Sequence, residues 1–429
     1  MSQVNLDQPM RVINNDRGQA DAELRAPVAI VELDLAHCPR DFVLPDRNGG
    51  APYRSALVLV SRAGEPLGVL TVACERSALN PDDVLDESVR QFGGTPAGRT
   101  ASRPDSPARE PTVTVVVTTC AMPDRAARCL TAILDCVHRP LEVILVENRP
   151  SGSCTRAMVR DRFQGRAPVR CVEEPLPGLS RARNAGLREA RGDIVAFTDD
   201  DVVVDRRWVG AIATRFAETP DASCVTGPIL PLALETDEQL TFEQFGAFGK
   251  GFERRVFTAS RPPVDDPLFP YRAGRFGSGA NIAMRTEFAR AIGGFDVQLG
   301  AGTPARGAED LDLFIRVLQR GGMIVYEPRA LLRHEHGDSE GDLRRHAFDY
   351  GAGLTAMLTK QLVAGEDRLG LLRRVPRGLR YALDPSSDKN AHKGADYPRA
   401  LNRLERLGML FGPLAYAGSR LRVREGAAA

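Results

Sequence analysis

Three consecutive aspartates at the end of an apolar run are the first residues of this sequence that could do chemistry. The run 194–197 is typical of a buried strand, and Asp199, Asp200 and Asp201 follow it after one threonine. Side chains two apart on an extended segment share a face, so we expect Asp199 and Asp201 to converge while Asp200 points away. Two converging carboxylates favour Mg²⁺ or Mn²⁺, with phosphate oxygens as further ligands. A solvated acidic turn that caps the next helix is the alternative.

Further acids and two histidines lie later in the chain. Glu309 and Asp310 precede a helical pattern at 311–320, where they could accept a proton from a hydroxyl group or complement the helix dipole. His334 and His336 follow a short predicted strand at 323–326. Alternation puts both rings on one face, which allows a chelating pair, although a lone surface histidine is the commoner case.

The elements that must position these residues alternate between strand and helix. Strand patterns fall at 113–119, 141–147, 169–172 and 194–197, and helical patterns fall at 125–136, 179–190 and 207–216. This alternation predicts an α/β fold with a mainly parallel sheet and helices on both faces. Ligands of such sheets bind at the carboxyl ends of the strands, which is where the aspartate run lies.

The 429 residues exceed what one hydrophobic core usually needs, so several parts are expected. We predict a polar tail (1–25), a small α+β N-terminal module (26–93), a Pro/Gly/Ser/Arg-rich linker (94–111), the α/β domain (112–350) and a helical C-terminal region (351–429). The N-terminal module has no cluster of histidines, cysteines or acids, which favours a structural or docking role.

Composition excludes several classes of protein. Lys and Arg total 57 against 56 for Asp and Glu, so no overall positive field would recruit nucleic acid. The eight cysteines form no CxxC pair, which fits neither a zinc site nor a disulfide scaffold. No signal peptide or membrane-spanning run is recognised, so we expect a cytoplasmic protein. The basic amphipathic pattern of the C-terminal region fits either peripheral contact with the inner face of the membrane or helices packed on the α/β domain.

Several motifs in register resemble the family 2 glycosyltransferases, which have the GT-A (Rossmann-like) fold. On the donor side these are LEVILVEN (141–148), GLSRARNAG (178–186) and TDDD (198–201). On the acceptor side they are FGSGANIAM (276–284), GGFD (293–296), LGAG (299–302) and EDLDLFIR (309–316). The resemblance covers residues 112 to about 350, and their common order makes it stronger than any one motif.

The resemblance assigns the acidic motif to the donor and its metal. It implies that Asp201 binds a divalent metal (Mn²⁺ or Mg²⁺) directly, with Asp199, and that Asp199 and Asp200 contact the ribose and diphosphate of a nucleotide sugar. A histidine after the later strand often adds a metal ligand in GT-A enzymes; His334 is our first choice, with His336 as the alternative.

Other positions match residues around the nucleotide sugar. Thr119 ends the first strand and lines the nucleotide pocket, whereas Thr118 is equally well explained as an ordinary strand residue. Glu147 and Asn148 stand where the family reads the nucleotide base, with an amide at a position that is often aspartate. Arg181 and Asn184 match residues near the donor sugar and diphosphate; for Arg181 a solvated helix face is an equal alternative.

The acidic pair at 309–310 matches the family's ED motif, whose aspartate is the general base. The resemblance therefore implies an inverting, metal-dependent transfer of sugar from a nucleoside-diphosphate sugar to an acceptor hydroxyl, with Asp310 as base beside Glu309. The acceptor is open among saccharides, lipid-linked compounds and small molecules. A sugar-nucleotide pyrophosphorylase lacks support because residues 119–124 are not a Gly-rich, basic loop. A non-catalytic nucleotide-sugar binding or scaffold protein remains the alternative.

Overall fold

The computed structural model describes residues 24–37, 44, 50–74, 79–94, 110–148, 154–163, 169–246, 249–387, 389–390, 393 and 397–428. Nearly all of the predicted tail (1–25) and linker (94–111) lies outside these residues.

Fourteen strands and eleven α-helices are found in the described part of the chain. The strands are β1 (Val28–Asp34), β2 (Ser55–Arg62), β3 (Glu65–Ala73), β4 (Val113–Thr119), β5 (Glu142–Asn148), β6 (Val169–Glu174), β7 (Ile194–Asp199), β8 (Val202–Val204), β9 (Ala222–Thr226), β10 (Ile229–Pro231), β11 (Arg255–Phe257), β12 (Ile282–Arg285), β13 (Met323–Tyr326) and β14 (Leu332–His334). The helices are α1 (Pro81–Phe92), α2 (Pro123–Leu134), α3 (Cys154–Phe163), α4 (Leu179–Glu189), α5 (Trp208–Glu218), α6 (Asp237–Gly246), α7 (Thr286–Ala291), α8 (Glu309–Gln319), α9 (Glu340–Ala364), α10 (Arg368–Leu383) and α11 (Arg399–Ala428).

An eight-stranded sheet in the order β11-β13-β9-β12-β7-β4-β5-β6 forms the centre of the molecule. The strands β7, β4, β5 and β6 run parallel to one another, whereas β12 is antiparallel to both β7 and β9. Every residue of β4 is buried because one hydrophobic core lies on each face of the sheet. The predicted α/β fold with a mainly parallel sheet and flanking helices is confirmed.

The parallel register places the polar strand ends side by side. Thr118 pairs with Asp199, and Thr119 pairs with Glu147. A small sheet, β10-β14-β8, continues from this edge, and within it His334 of β14 lies opposite Val202 of β8. Asp201, the residue before β8, and the last residue of β14 are thereby brought together.

The N-terminal sheet β1-β2-β3 packs against the small sheet of the α/β domain. The amide of Val28 donates to the carbonyl of Leu234 (2.8 Å), and Glu32 forms an ion pair with Arg333. Leu59 forms an apolar cluster with Leu230 and Leu331. The N-terminal strands therefore extend the packed body of the protein.

Helices α9 and α11 pack closely through glycines. A Cβ on Gly351 would lie 2.0 Å from the carbonyl oxygen of Glu405, and a Cβ on Gly408 would lie 2.1 Å from that of Phe348. Only glycine lets the two backbones approach this closely. The boundary predicted between 350 and 351 falls inside α9, because the helix begins at Glu340, capped by Ser339.

Candidate active site

The three aspartates at the end of β7 have three different partners. Asp199 accepts a hydrogen bond from the Thr118 hydroxyl (2.9 Å), and Asp200 accepts one from the Thr119 hydroxyl (2.5 Å). The chain turns at Asp200 and Asp201 and enters β8, so the alternation expected for an extended segment does not continue through the run. Burial raises the pKa of Asp200 to about 7, although its bond with Thr119 opposes the shift.

Asp201 faces His334, with 3.4 Å between Oδ2 and Nε2. Burial raises the pKa of Asp201, but the neighbouring His334 lowers it, and the net shift of the pKa is downward. Burial likewise opposes the charged form of His334, yet Asp201 holds the net pKa of the ring above its ordinary value. His336 does not contact Asp201 directly: its Nδ1 lies 3.2 Å from Nδ1 of His334, and its Nε2 lies 2.7 Å from Oε2 of Glu243. Of the two histidines, His334 is therefore the one beside the aspartate run.

Asp201 and His334 fit a divalent cation whose other ligands come from a bound substrate. Oδ1 of Asp201 is buried and has no hydrogen-bond partner among the described residues. An oxygen and an imidazole nitrogen form a donor set suited to Mn²⁺. Within the described ranges no group of three or more His, Cys, Asp or Glu side chains could hold a metal. A cation here would need phosphate oxygens to complete its shell, as Mg²⁺ sites on phosphorylated substrates do.

A buried arginine, Arg183 of α4, joins the aspartate at the end of β7 to the first acid of α8. Its Nη2 donates to both carboxylate oxygens of Asp199 (3.1 Å each), and its Nη1 donates to Oε1 of Glu309 (2.7 Å). The residue is 1% exposed. The guanidinium carbon lies 5.2 Å from the ring centre of Phe295. Glu309 is thus held by a charged partner rather than directed freely at a substrate.

Asp310 is fixed by two backbone amides. Gly279 N–H donates to Oδ2 (2.7 Å), and Leu311 N–H donates to Oδ1 (2.8 Å). A Cβ on Gly279 would lie 3.1 Å from Arg183 Nη1, so the glycine lets the loop approach both charges. Burial raises the pKa of Asp310, although Arg183 and these amides oppose it. Burial also raises the pKa of Glu309, against the same arginine.

Glu147 keeps one carboxylate oxygen available for a ligand. Its Oε1 accepts from the amide of Ala121 (2.8 Å), while Oε2 is buried without a hydrogen-bond partner among the described residues. The Asn148 side chain donates to the carbonyls of Glu174 (3.2 Å) and Leu176 (2.8 Å) and accepts from Gly178 N–H (3.0 Å). The amide therefore holds the loop before α4, and Glu147 is the better placed of the two to meet a base.

Asn184 and Arg181 lie apart from the aspartates. The Asn184 side chain both donates to the carbonyl and accepts from the amide of Phe295 (2.8 Å each), which keeps that ring beside Arg183. Arg181 is partly exposed and does not line the cavity described below. The sequence analysis selected Arg181 and missed Arg183. The available signal was the helical spacing, because Arg183 lies three and four residues before Gly186 and Leu187 and so shares their buried face.

A cavity of about 1950 Å³ opens beside Asp310. Asp199, Arg183, Glu309 and His334 also line it, so the acid at the end of β7 and the acids of α8 share one space. Its walls extend to the N-terminal module and to helices α9, α10 and α11.

Comparison with known proteins gives a family match for part of the chain. Residues 114–280 match the family model described as "Glycosyl transferase family 2". This part of the chain therefore matches the family that the motifs indicate.

Similar proteins include other glycosyltransferases. The "Pre-mycofactocin glycosyltransferase" of Mycobacterium tuberculosis is 27% identical over 317 residues, which are 73% of this chain and 59% of the relative. The "Glucosyl-dolichyl phosphate glucuronosyltransferase" of Haloferax volcanii is 26% identical over 229 residues, 52% of this chain and 69% of the relative. The chain thus spans well under two thirds of the mycobacterial relative's length.

Among solved structures, a mannosyltransferase from Pyrobaculum calidifontis in complex with GDP-Man and Mn²⁺ is similar at a TM-score of 0.46 and 18% identity. The similarity covers 74% of this chain and 88% of that chain. Every helix in the described part of our chain is too short or too polar to span a bilayer.

Proposed function

We propose that this protein is an inverting glycosyltransferase that moves a sugar from a nucleoside-diphosphate sugar to an acceptor hydroxyl, with Asp310 as general base. The observation that carries the proposal is that Asp199 and Asp310 line the same cavity. Arg183 bonds to Asp199 and to Glu309, which is the neighbour of Asp310. The family 2 match and the glycosyltransferase relatives support the class of reaction.

Asp310 has the geometry of a base that stays oriented while it accepts a proton. Each of its oxygens accepts one backbone N–H and keeps a second lone pair for an acceptor hydroxyl. As the proton passes to the carboxylate, the acceptor oxygen bonds to the anomeric carbon and the bond to the diphosphate breaks. Attack opposite the leaving group inverts the anomeric configuration, and the nucleoside diphosphate departs with the electron pair.

The donor would lie along the carboxyl ends of β4, β5 and β7. Glu147 would accept from the base through its unpartnered oxygen, and Thr119 and Asp200 would border the nucleotide. Asp201 and His334 would hold a divalent metal, which when bound neutralises charge on the departing diphosphate.

Nucleotide binding tests the donor site directly. Isothermal calorimetry of UDP, GDP and dTDP with Mn²⁺ or with chelator should find one nucleotide bound only with metal. Asp201→Asn should lose that binding, because the amide replaces the carboxylate beside His334. Asp221→Asn, an exposed aspartate before β9, is the matched control and should bind as the wild type does.

Turnover tests the base separately. Asp310→Asn should keep nucleotide binding but lose about 10²–10⁴-fold in sugar transfer or donor hydrolysis, the usual contribution of a general base. The sugar released by the wild type should have the opposite anomeric configuration to the donor by NMR. Retention of configuration, or wild-type turnover by Asp310→Asn, would contradict the proposed mechanism. If none of the three nucleotides binds, the non-catalytic scaffold becomes the better explanation.

A further inference from the structure

Helix α10 carries an exposed row of large apolar side chains. The exposed fractions are 71% for Leu369, 54% for Leu372, 46% for Val375, 59% for Leu379 and 45% for Leu383. Their spacing of three or four residues puts all five on one face. In this fully described helix Leu371 alone is buried. The protein thus leaves most of an amphipathic helix facing outwards, with its apolar side in solvent.

A row of arginines borders that apolar face. At 100° per residue, Arg373, Arg377 and Arg380 fall directly beside Leu369 and Leu383 around the helix, and all three are exposed. The helix contains five arginines and no acidic residue. Arg373 and Arg377 form no side-chain hydrogen bond or ion pair with any described residue. The face therefore combines apolar surface with positive charge that the protein itself does not neutralise.

The same face borders the mouth of the large cavity. Val375 and Leu379 line the cavity that Asp310 lines, and so does Leu410 of α11, which is 76% exposed. Whatever covers α10 therefore lies next to the opening through which an acceptor would enter.

We propose that α10 docks flat on an anionic lipid bilayer, with its apolar row in the acyl boundary and its arginines at the lipid phosphates. An exposed apolar row flanked by arginines is the pattern of helices that lie in the membrane interface. Sixteen residues span about 24 Å, which is less than the hydrocarbon core of a bilayer, so α10 lies on the surface. A second copy of the chain fits less well, because two-fold pairing through this face would bring like-charged arginine rows together.

Docking does not depend on the proposed transfer reaction, since none of its residues belongs to the proposed donor site or base. It would turn the cavity mouth towards the membrane.

Vesicle co-sedimentation tests the proposal. The full-length protein should sediment with vesicles of phosphatidylcholine mixed with phosphatidylglycerol, less with pure phosphatidylcholine, and less at high salt. Arg373→Gln/Arg377→Gln should bind the anionic vesicles about thirty-fold more weakly, from the usual contribution of an arginine at an anionic surface. Leu372→Glu/Leu379→Glu should abolish sedimentation with both vesicles.

The matched control removes two positive charges elsewhere. Arg160→Gln/Arg162→Gln changes two exposed arginines of α3, at a distance along the chain and outside the cavity, and should bind vesicles as the wild type does. Equal loss in the two arginine variants would mean that only net charge matters and would overturn the proposal. A wild-type protein that stays in the supernatant with anionic vesicles would overturn it as well.

Two parallel measurements separate this proposal from other outcomes. Sedimentation velocity without vesicles should give the same oligomeric state for wild type and Leu372→Glu/Leu379→Glu; dissociation of a dimer in the variant would identify α10 as a self-association face instead. Thermal unfolding and nucleotide calorimetry on each variant show that it is folded. Vesicle binding without nucleotide binding would contradict the proposed function alone, and nucleotide binding without vesicle binding would contradict docking alone.

Discussion

Replacing Arg183 by methionine should destabilise the protein and impair transfer together. Methionine keeps most of the buried length of the side chain but leaves Asp199 and Glu309 without their shared cation. Removing one partner of a buried ion pair costs about 3–5 kcal/mol. The Glu309 side chain is 7% exposed and that of Asp199 is 24% exposed, so most of this cost falls on Glu309. The melting temperature of this 429-residue chain should fall by roughly 3–6 °C.

A double variant tests whether the cause is the unpaired carboxylate. Glu309→Gln in the Arg183→Met background removes the buried charge and should recover more than half of the lost stability. Arg181→Met makes the same change two residues earlier on α4, where the side chain is partly exposed, and should alter unfolding by less than about 0.5 kcal/mol. Scanning calorimetry of all four proteins measures both effects.

The pH dependence of activity is a second measurement, which a change in packing alone would not alter. Arg183 opposes the upward pKa shift of Asp310, so its loss should raise that pKa further and move the acid limb of kcat/KM to higher pH. The buried-charge argument is refuted if Arg183→Met has the same melting temperature as Arg181→Met. It is also refuted if adding Glu309→Gln to Arg183→Met lowers the stability further. An unchanged acid limb in a folded Arg183→Met would refute its influence on Asp310.

Three further predictions concern other residues. In the wild type the acid limb of kcat/KM should lie above the ordinary aspartate range, because burial raises the pKa of Asp310 and only the ionised form accepts a proton; a pH profile with a limb at the ordinary value would contradict this. Gly408→Ala should lower the melting temperature because its Cβ would lie 2.1 Å from a backbone carbonyl of α9. A Cβ on Gly341 would meet only the Ser339 hydroxyl, at the ordinary contact distance of 3.8 Å, so Gly341→Ala should raise stability by about 0.5–1 kcal/mol. Equal shifts in thermal unfolding would disprove the close approach at Gly408. Asn281→Ala should cost about 2–4 kcal/mol in chemical denaturation, because it leaves the carbonyl of Ala330 and the indole N–H of the buried Trp208 unpaired, and a near-neutral result would contradict that network.

The sheet could be predicted because its sequence signal is local. The strand β4 is a continuous β-branched run, and β5 and β7 are similar apolar runs separated by helical patterns, which is typical of parallel strands buried on both faces. Parallel strands end at a common edge, so the proximity of Thr119, Glu147 and Asp199 follows from the order of elements. Local pattern was enough wherever neighbouring strands supplied the contacts.

The partners of the acids could not be predicted because they come from distant segments. The extended geometry assumed for residues 199–201 ends at a turn, and the separate environments of Asp199 and Asp201 depend on α4 and on β14. The choice between His334 and His336 depends on Glu243, which lies in α6 more than ninety residues earlier. Alternation placed both rings on one face but contained no information about α6.

Arg183 explains why the two halves of the proposed reaction site can be built on separate elements. Asp199 ends a strand of the parallel half of the sheet, whereas Glu309 and Asp310 begin a helix that follows the antiparallel strand β12. A guanidinium offers several donors in one plane, so one side chain bonds to both carboxylates at once, which an ammonium at the end of a lysine does less well. Phe295 covers the guanidinium, and Asn184, from the next position of α4, holds the backbone of that phenylalanine. The distance between Asp199 and the proposed base Asp310 is therefore set by a buried hydrogen-bond network rather than by the loops that line the cavity.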